Sequence, residues 1–395
     1  MSKSVMVIPS WYPPEGGEFF RLYSQSILRE GLPVFVLANH TKSIKTSGFL
    51  YFLKNHAFRK SVADGLIEYH WNYVKIPGFE ELNIRRWANH TLKAFEAYCK
   101  HHEKPALIHT HSAVWAGYAA YLIYQKYNIP YIVTEHRSRF VSMNQEADKL
   151  IKPFHYNYIK QALKNAEKVI TVSASMHDKL ISITPSVKDH LSTIPNMVDT
   201  GIFKPSGYEC HDDTFQFFCL GALEHVKGID LLLKAFALFK EEIKKPVKLI
   251  IGGDGKDKEK LQKLTSELNL KEHTEWTGSL TQDEVVDQMQ RSQAFILTSR
   301  FEAFGVVFIE AMACGLPVIA TDSGGPPEII DNKTGLIAEN ENIEDIKNQM
   351  VALFEEYGNY DRQYIRNLAV EKYSKNTIAK QYKELINQVL KEDSR

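Results

Sequence analysis

The chain has 395 residues, of which 44% are apolar and 24% are charged, with 48 Lys and Arg balanced by 48 Asp and Glu. This composition excludes a disordered chain, which would combine low hydrophobicity with high net charge. The length exceeds what one hydrophobic core usually serves and predicts two domains. A neutral balance without a clustered basic helix argues against nucleic-acid binding.

The charge is unevenly distributed along the chain. Residues 1–200 hold 24 Lys and Arg against 16 Asp and Glu. This excess suits an anionic partner such as a membrane surface, and a solvated basic face explains it equally well. Four cysteines without metal-like spacing indicate a reducing compartment. Because the sequence shows no signal peptide and no apolar run long enough to cross a bilayer, we expect a cytoplasmic protein with peripheral contact at the inner face of the plasma membrane.

Short β-rich runs alternate with helical patterns in both halves, which is typical of parallel sheets with crossover helices. The predicted strands of the first half are residues 4–8, 34–38, 106–109, 131–134, 168–172 and 191–195, with helices at 19–30 and 113–127. Those of the second half are residues 215–220, 247–252, 274–277, 294–297, 317–320 and 335–338. The predicted fold class is therefore α/β, with two Rossmann-like, doubly wound parallel-sheet domains.

The periodicity breaks at residues 201–213, where Gly, Pro and charged residues cluster. We therefore predict an N-terminal domain of residues 1–203 and a C-terminal domain of residues 204–374, with a last helix of about 375–395 packing back on the first domain. Residues 41–104 are harder to assign. Within them, residues 83–100 form an amphipathic pattern that indicates either a helix packed on the sheet or an interfacial, acceptor-binding helix.

Two glutamates stand eight residues apart in the segment SRFEAFGVVFIEAMACGLP, which covers residues 299–317. Glu310 lies in an otherwise apolar run, so its carboxylate needs either a ligand or a donor from the protein. The segment reads as a strand, a loop with Glu302, and a helix from Gly305 to Gly315. Ligands bind at the carboxyl edge of such sheets, and Gly305 would let backbone N–H groups approach them closely. Glu310 is the candidate for the ribose hydroxyls of a nucleotide.

Three other groups of residues suggest chemistry. Lys227 lies in a predicted loop between two glycines, where it is either a diphosphate ligand or a surface lysine. Gly16 and Gly17 follow the first strand, and are either a plain turn or a close approach to a ligand. His109 and His111 would share one face of an extended segment, but no nearby carboxylate completes a metal site, so no metal is expected.

These motifs resemble those of the retaining glycosyltransferases of family 4, which have the GT-B fold. The residue 299–317 segment resembles the family pattern in which two glutamates are separated by seven residues, followed by A-M-A-x-G-x-P-V. Further similar stretches are PSWYPPEGGEFF, HTHSAVWAG, TEHRSRF, IPNMVDTGIFKP, LGALEHVKGIDLLLKAF, IIGGDG and WTGSL, so the resemblance extends over nearly the whole chain. It implies two domains facing a cleft that binds a nucleoside-diphosphate sugar.

The resemblance also implies roles for individual residues. Glu302 and His111 would contact the donor sugar, Lys227 would neutralise the departing phosphate, and Glu310 would bind the ribose. The other donor-binding residues would present backbone N–H groups or lie near the base; they are Gly16, Gly17, Gly253, Ser279, Leu280, Phe304, Gly305, Val306 and Val307.

One position departs from the family pattern. Ala222 stands where the family usually has an arginine after the glycine of its G-R-L segment. A diphosphate cation is therefore missing, and Arg300, Arg137 or Arg139 are candidates to replace it from another loop. The departure also keeps open a degenerate homologue that binds nucleotide sugar without catalysis. A sugar phosphorylase or an epimerase on the same fold is a further alternative.

The predicted activity is transfer of a hexose-type sugar from a nucleoside-diphosphate sugar, with UDP favoured over GDP, and with retention at the anomeric carbon. The S-W-Y-P opening is similar to that of bacterial transferases for capsule, exopolysaccharide or teichuronic acid, which implies a glycan or lipid-linked acceptor. No cofactor and no metal are expected. The N-terminal domain is expected to supply any contact with an anionic membrane.

Overall fold

The computed structural model describes residues 4–14, 16–43, 58–141, 149–206 and 214–392. Within them the chain separates into two compact units. The first unit takes the described residues up to Phe140, those from 149 to Pro195, and those from Lys375 onward. The second takes Val141 and the described residues from Asn196 to Ser374.

The first unit is built on one sheet. Its strands are β1 Val5–Pro9, β2 Val34–Ser43, β3 Arg59–Ala63, β4 Leu66–Lys75, β5 Leu107–His111, β6 Tyr131–Glu135, β7 Lys168–Thr171 and β8 Leu191–Thr193. Its helices before residue 195 are α1 Glu18–Arg29, α2 Glu80–Cys99, α3 Tyr118–Tyr127, α4 His155–Lys164 and α5 His177–Ile183. The strand order is β3-β4-β2-β1-β5-β6-β7-β8. Every neighbouring pair is parallel except β3 with β4.

The second unit repeats this plan on a smaller scale. Its strands are β9 Phe215–Leu220, β10 Val247–Gly252, β11 Thr274–Gly278, β12 Ala294–Leu297, β13 Val318–Thr321 and β14 Gly335–Ala338. Its helices are α6 Ile229–Glu242, α7 Lys258–Glu267, α8 Gln282–Arg291, α9 Val306–Ala313, α10 Ile343–Glu356 and α11 Arg362–Tyr373. The parallel strand order is β11-β10-β9-β12-β13-β14.

The last helix, α12 Lys375–Glu392, belongs to the first unit. The ring of Tyr382 lies 4.7 Å from that of Tyr23 on α1, centroid to centroid, and Lys383 donates to the carbonyl of Glu30. The helix therefore completes a buried layer on one face of the first sheet.

The predicted α/β class with doubly wound parallel sheets is confirmed. The central strands β1 and β12 are buried along their whole length, as expected for apolar strands inside a parallel sheet, and β5 is equally buried although it ends in His-Thr-His. The predicted helix at 113–127 begins with a wider π-type turn. The amphipathic pattern of residues 83–100 belongs to α2, whose Trp87 and Phe95 are fully buried, so the interpretation as a helix packed on the sheet is confirmed. The sequence reading missed β3 and β4.

In both sheets the strand order reverses next to the first strand of the unit. The reversal falls between β1 and β5 in the first unit and between β9 and β12 in the second. At such a point the loops that follow the two strands run in opposite directions and leave a crevice at the carboxyl ends. The predicted residues Gly16, Gly17 and His111 follow or end β1 and β5, and Lys227 and Glu302 follow β9 and β12.

Candidate active site

The strongest candidate site lies at the reversal point of the second unit, where Lys227 and Glu302 meet. The Nζ atom of Lys227 donates to Oε2 of Glu302 at 2.6 Å, and both side chains are largely buried. Ser299 contributes a longer bond to the same oxygen, at 3.4 Å. Two of the three predicted catalytic residues, 75 positions apart in sequence, are thus joined in one ion pair.

Gly228 explains how the two loops come so close. Its φ is +64°, and a Cβ atom there would lie 1.9 Å from the carbonyl oxygen of Thr298. Thr298 in turn donates its hydroxyl to the Gly228 carbonyl at 2.8 Å, and the Arg300 amide donates to the Val226 carbonyl at 2.8 Å. Only glycine fits this contact, so the sequence Lys-Gly sets the position of Lys227.

Glu302 is also held by the loop that follows β13. Its amide donates to the Ser323 carbonyl at 2.9 Å, and its carbonyl accepts from the Gly325 amide at 2.8 Å. A Cβ atom at Gly324 would lie 2.9 Å from the Glu302 carbonyl oxygen. Backbone bonds on both sides therefore fix the direction of the Glu302 side chain before any ligand arrives.

The helix α9 begins directly after this loop. Gly305 is its N-cap residue with a φ of +92°, and a Cβ atom there would lie 2.5 Å from the Phe308 ring. The first amides of a helix have no acceptor within the helix, and they carry the positive end of its dipole. Val306 and Val307 are the first residues of α9, so their N–H groups suit phosphate or sugar oxygens, and Phe304 and Gly305 directly precede them.

Glu310 lies one turn further along α9. Its carboxylate makes no hydrogen bond or ion pair with any residue in the described part of the chain. Burial raises the pKa of Glu310 to about 7. An ionised carboxylate that is buried without a partner destabilises the folded protein. Titratable groups whose pKa is strongly shifted are concentrated at functional sites.

The remaining donor-side residues lie at the ends of β10 and β11. Gly253 has a φ of +125°, and a Cβ atom there would lie 1.9 Å from the carbonyl oxygen of Gly221. Its amide donates to the Gly278 carbonyl at 2.7 Å. Ser279 is exposed, and Leu280 packs against Gly252. Gly253, Ser279 and Leu280 are therefore brought together beside the loop that carries Lys227.

Arg300 does not supply the missing diphosphate cation. Its guanidinium makes two parallel bonds to Asp230, at 2.8 and 2.9 Å, and its Nε donates to Glu341 at 3.0 Å. The side chain is 6% exposed, and the hydrogen bonds that its guanidinium donates to Asp230 raise the pKa of Arg300 further. Arg300 is a structural cation that ties the Glu302 loop to the first turn of α6, so this suggestion from the sequence was wrong.

In the first unit, His111 ends β5 and is fully buried. The Nδ1 atom of His111 lies 3.0 Å from Nε2 of the half-buried His136. The Nε2 atom of His111 has no hydrogen-bond partner among the described residues. His109 is bonded to Tyr23 at 2.5 Å and to Thr134 at 2.7 Å. Burial lowers the pKa of His109 to about 3 and that of His111 well below its ordinary value, so both rings are neutral at physiological pH.

Gly16 and Gly17 precede α1, both with φ near +90°. A Cβ atom at Gly17 would lie 2.8 Å from the carbonyl oxygen of Trp11, whereas one at Gly16 would meet no atom of the described residues within 4 Å. The guanidinium of Arg137 lies 4.4 Å from the centroid of the Trp11 ring. Arg139 instead contacts His155, so Arg137 is the arginine found beside the glycine turn.

Two family models match the chain. The model for Glycosyltransferase Family 4 matches residues 56–201, and the model for Glycosyl transferases group 1 matches residues 206–370. The chain belongs to glycosyltransferase family 4. The matched ranges contain Lys227, Glu302, Glu310 and His111, four of the residues for which the resemblance implies a role at the donor.

One relative is similar to this chain in sequence, and two solved structures are similar to it in fold. A glycosyltransferase of Methanocaldococcus jannaschii is 34% identical over 248 residues, which is 62% of this chain and 65% of that protein. Sucrose-phosphate synthase from Thermosynechococcus elongatus has a TM-score of 0.78 at 18% identity, over 98% of this chain and 99% of that one. Anabaena HepE, solved in complex with UDP, has a TM-score of 0.74 at 17% identity, over 98% of this chain and 100% of that one. The GT-B fold is confirmed.

Two further observations apply to the described ranges of this glycosyltransferase. No helix in them is both long and apolar enough to cross a membrane. No group of three or more His, Cys, Asp or Glu side chains in them could hold a metal ion.

Sequence reasoning missed two supports of the candidate site. Ser323, Gly324 and Gly325 clamp the Glu302 backbone, and paired glycines directly after a predicted strand were the available signal. Asp230 was also missed, because only the structure shows that it faces Arg300, 70 residues away.

Proposed function

We propose that this chain transfers a hexose from a nucleoside-diphosphate sugar to a hydroxyl group of a glycan or lipid-linked acceptor, with retention and without a metal ion. The observation that carries this proposal is the ion pair between Lys227 and Glu302 at the reversal point of the second sheet. A cation for a diphosphate and a carboxylate for sugar hydroxyls stand side by side there, next to the free amides of α9.

The donor base is proposed to be uracil. Anabaena HepE, which shares the fold, was solved with UDP and with UDP-glucose. In this chain, Glu310 would accept hydrogen bonds from the two ribose hydroxyls, and these would compensate the cost of ionising its buried carboxylate.

The proposed step breaks the bond between the anomeric carbon and the diphosphate oxygen, and the electron pair leaves with the diphosphate. The acceptor oxygen bonds to the same face of the carbon, and its proton passes to the departing diphosphate. Lys227 and the first amides of α9 would stabilise the charge that develops on the leaving group, while Glu302 holds the sugar by its hydroxyls. Neutral His111 would contact the hexose.

The proposal is tested by a thermal-shift screen with UDP, GDP, ADP and their sugar conjugates, in EDTA. A ligand for the native state raises the melting temperature by mass action. We expect a shift with UDP compounds that is lost in Glu310→Ala and kept in Glu355→Ala, which removes an exposed carboxylate from α10. No shift with any nucleotide in the parent would refute nucleotide binding.

A product assay with the nucleotide that binds separates transfer from its alternatives. Sugar release that requires inorganic phosphate would indicate a phosphorylase, and conversion of the donor sugar without an acceptor would indicate an epimerase. The exposed Ala222, at the place of the usual family arginine, favours one second candidate, a nucleotide-sugar-binding homologue without catalysis. Nucleotide binding with no turnover of donor over a panel of acceptors would support that candidate.

We further propose a cytoplasmic location, with contact to anionic lipid through the basic N-terminal domain. Salt-sensitive cosedimentation with anionic vesicles, and none with neutral vesicles, is the expected result. Equal binding to both kinds of vesicle would contradict it.

A further inference from the structure

The first unit contains a polar pocket whose lining does not include the histidines of β5. It lies on one face of β2, β3 and β4, and is also lined by Pro13, Pro14 and Arg21. We call it the edge pocket, because β3 and β4 form the edge of the first sheet. No role that the family pattern assigns falls on its side chains.

The edge pocket exists because one face of these strands is polar. Along β4, Glu68, His70 and Asn72 alternate with aromatic residues, so they share a face. Antiparallel pairing places Arg59 opposite His70 and Ser61 opposite Glu68 on β3. A sheet face with this composition is not built for an apolar core.

Arg21 is a fixed cation in the edge pocket. Its guanidinium donates to both oxygens of Glu68, at 2.7 and 3.2 Å, and lies 5.3 Å from the centroid of the Tyr12 ring. These bonds use two of its five N–H donors, so three remain for a ligand. Burial alone would raise the pKa of Glu68, but hydrogen bonds from His70, Arg21 and Tyr12 lower it to about 2, so Glu68 stays ionised and keeps Arg21 in place.

Two further polar groups of the edge pocket are uncommitted. Neither the exposed guanidinium of Arg59 nor the side-chain amide of Asn72 makes a hydrogen bond or ion pair within the described residues. Arg21, Lys42 and Arg59 also outnumber the single carboxylate of Glu68 among the lining residues. The edge pocket is therefore cationic, with donors pointing from a strand and a helix toward one space.

We propose that the edge pocket binds a phosphate or diphosphate group carried by the acceptor. Two planar guanidinium groups match the oxygens of a phosphate, and several cations around one space favour an anion with more than one charge. The anion site stands on the lining residues alone, whereas its assignment to the acceptor rests on the proposed glycosyltransferase function.

The first experiment measures binding of inorganic pyrophosphate by isothermal titration calorimetry to the parent, Arg59→Glu and Lys60→Glu. Lys60 is an exposed neighbour on the same strand whose side chain points to the opposite face, so its variant changes the charge equally without entering the edge pocket. We expect Arg59→Glu to weaken binding by roughly tenfold or more, and Lys60→Glu to leave it nearly unchanged.

Pyrophosphate could also occupy the donor site, so Lys227→Ala is titrated in parallel. Binding that persists in Lys227→Ala and is lost in Arg59→Glu supports the edge pocket. Equal binding by Arg59→Glu and the parent, loss of binding in Lys227→Ala, or no binding to the parent would each overturn it. A UDP thermal shift that Arg59→Glu retains separates this result from failure of the proposed function.

A final comparison identifies the source of the anion. Phosphatidylcholine vesicles with and without a polyprenyl diphosphate are cosedimented with the parent and with Arg59→Glu. Capture that depends on both the diphosphate lipid and Arg59 supports a lipid-linked acceptor. Capture of neither vesicle, with free pyrophosphate still bound through Arg59, supports a soluble phosphorylated acceptor. Equal capture of diphosphate vesicles by both proteins would overturn the role of the edge pocket in lipid recognition.

Discussion

Glu310 should make the protein less stable as the pH rises, and replacing it with glutamine should remove that effect. Burial raises the pKa of Glu310 from 4.5 to about 7. Between these pH values the folded protein holds a proton that the unfolded chain has released, so the free energy of unfolding falls as pH increases. The full effect corresponds to about 3 kcal/mol.

Denaturant unfolding of the parent and of Glu310→Gln at pH 4.5 and pH 8 measures the change in the free energy of unfolding with pH. We expect Glu310→Gln to be the more stable protein at pH 8, by up to about 3 kcal/mol, with little difference near pH 4.5. Glu355→Gln, an exposed change on α10, is the control. Identical pH dependence of the parent and Glu310→Gln would show that the carboxylate has a partner, and would refute the reasoning.

The same group should make nucleotide binding depend on pH. Ribose hydroxyls donate to a carboxylate and favour its ionised form, so binding should lower the pKa of Glu310 and release a proton. Nucleotide affinity should therefore rise as the pH increases toward 7, by at most about tenfold for each pH unit. Calorimetry in two buffers of different ionisation enthalpy would detect the proton. A flat affinity profile across this range would contradict a direct contact.

Three further changes test the site and its supports. Lys227→Ala should lower kcat about 100-fold or more, because the charge on the leaving group is no longer stabilised. Lys234→Ala, which removes an exposed lysine from α6, should leave kcat unchanged. Equal kcat values for the two variants would show that Lys227 has no part in the mechanism. Gly228→Ala should lower the melting temperature sharply, because its Cβ atom would overlap the backbone carbonyl of Thr298. Gly358→Ala should not, since its Cβ atom would have no described atom within 4 Å. Equal melting temperatures for the two variants would contradict the contact. Arg300→Ala should cost about 2 kcal/mol of stability by denaturant unfolding, since it removes charge-assisted hydrogen bonds to the partly exposed Asp230. A loss under 1 kcal/mol would mean that this ion pair is not structural.

Part of the candidate site could be located from the sequence, because its residues are close together in the chain. Glu310 stood out as a carboxylate within an apolar run, and Gly305 as a glycine at a helix start, and the structure places both where the pattern puts them. The pairing of Lys227 with Glu302 could not be derived from spacing alone. It depends on β9 and β12 lying side by side, which is a property of the strand order.

The strands β3 and β4 were missed for a physical reason. In β4, Glu68, His70 and Asn72 interrupt the apolar pattern by which buried strands are recognised, and β3 begins with the polar residues Arg59, Lys60 and Ser61. The alternation of polar and aromatic residues along β4 was the available signal. Arg300 was predicted as a possible diphosphate ligand because it is basic and close to Glu302 in sequence. The sequence did not show that its guanidinium is already hydrogen-bonded to Asp230.

The placement of α12 constrains the order in which the molecule can assemble during synthesis. The second unit is encoded almost entirely by the stretch from Asn196 to Ser374, so its core can close as soon as that stretch has left the ribosome. The core of the first unit, which begins earlier in the chain, is complete only when α12 is present, because Tyr382 packs beside Tyr23 and His109. The unit that holds the first residues of the chain therefore also depends on residues that follow the whole second unit.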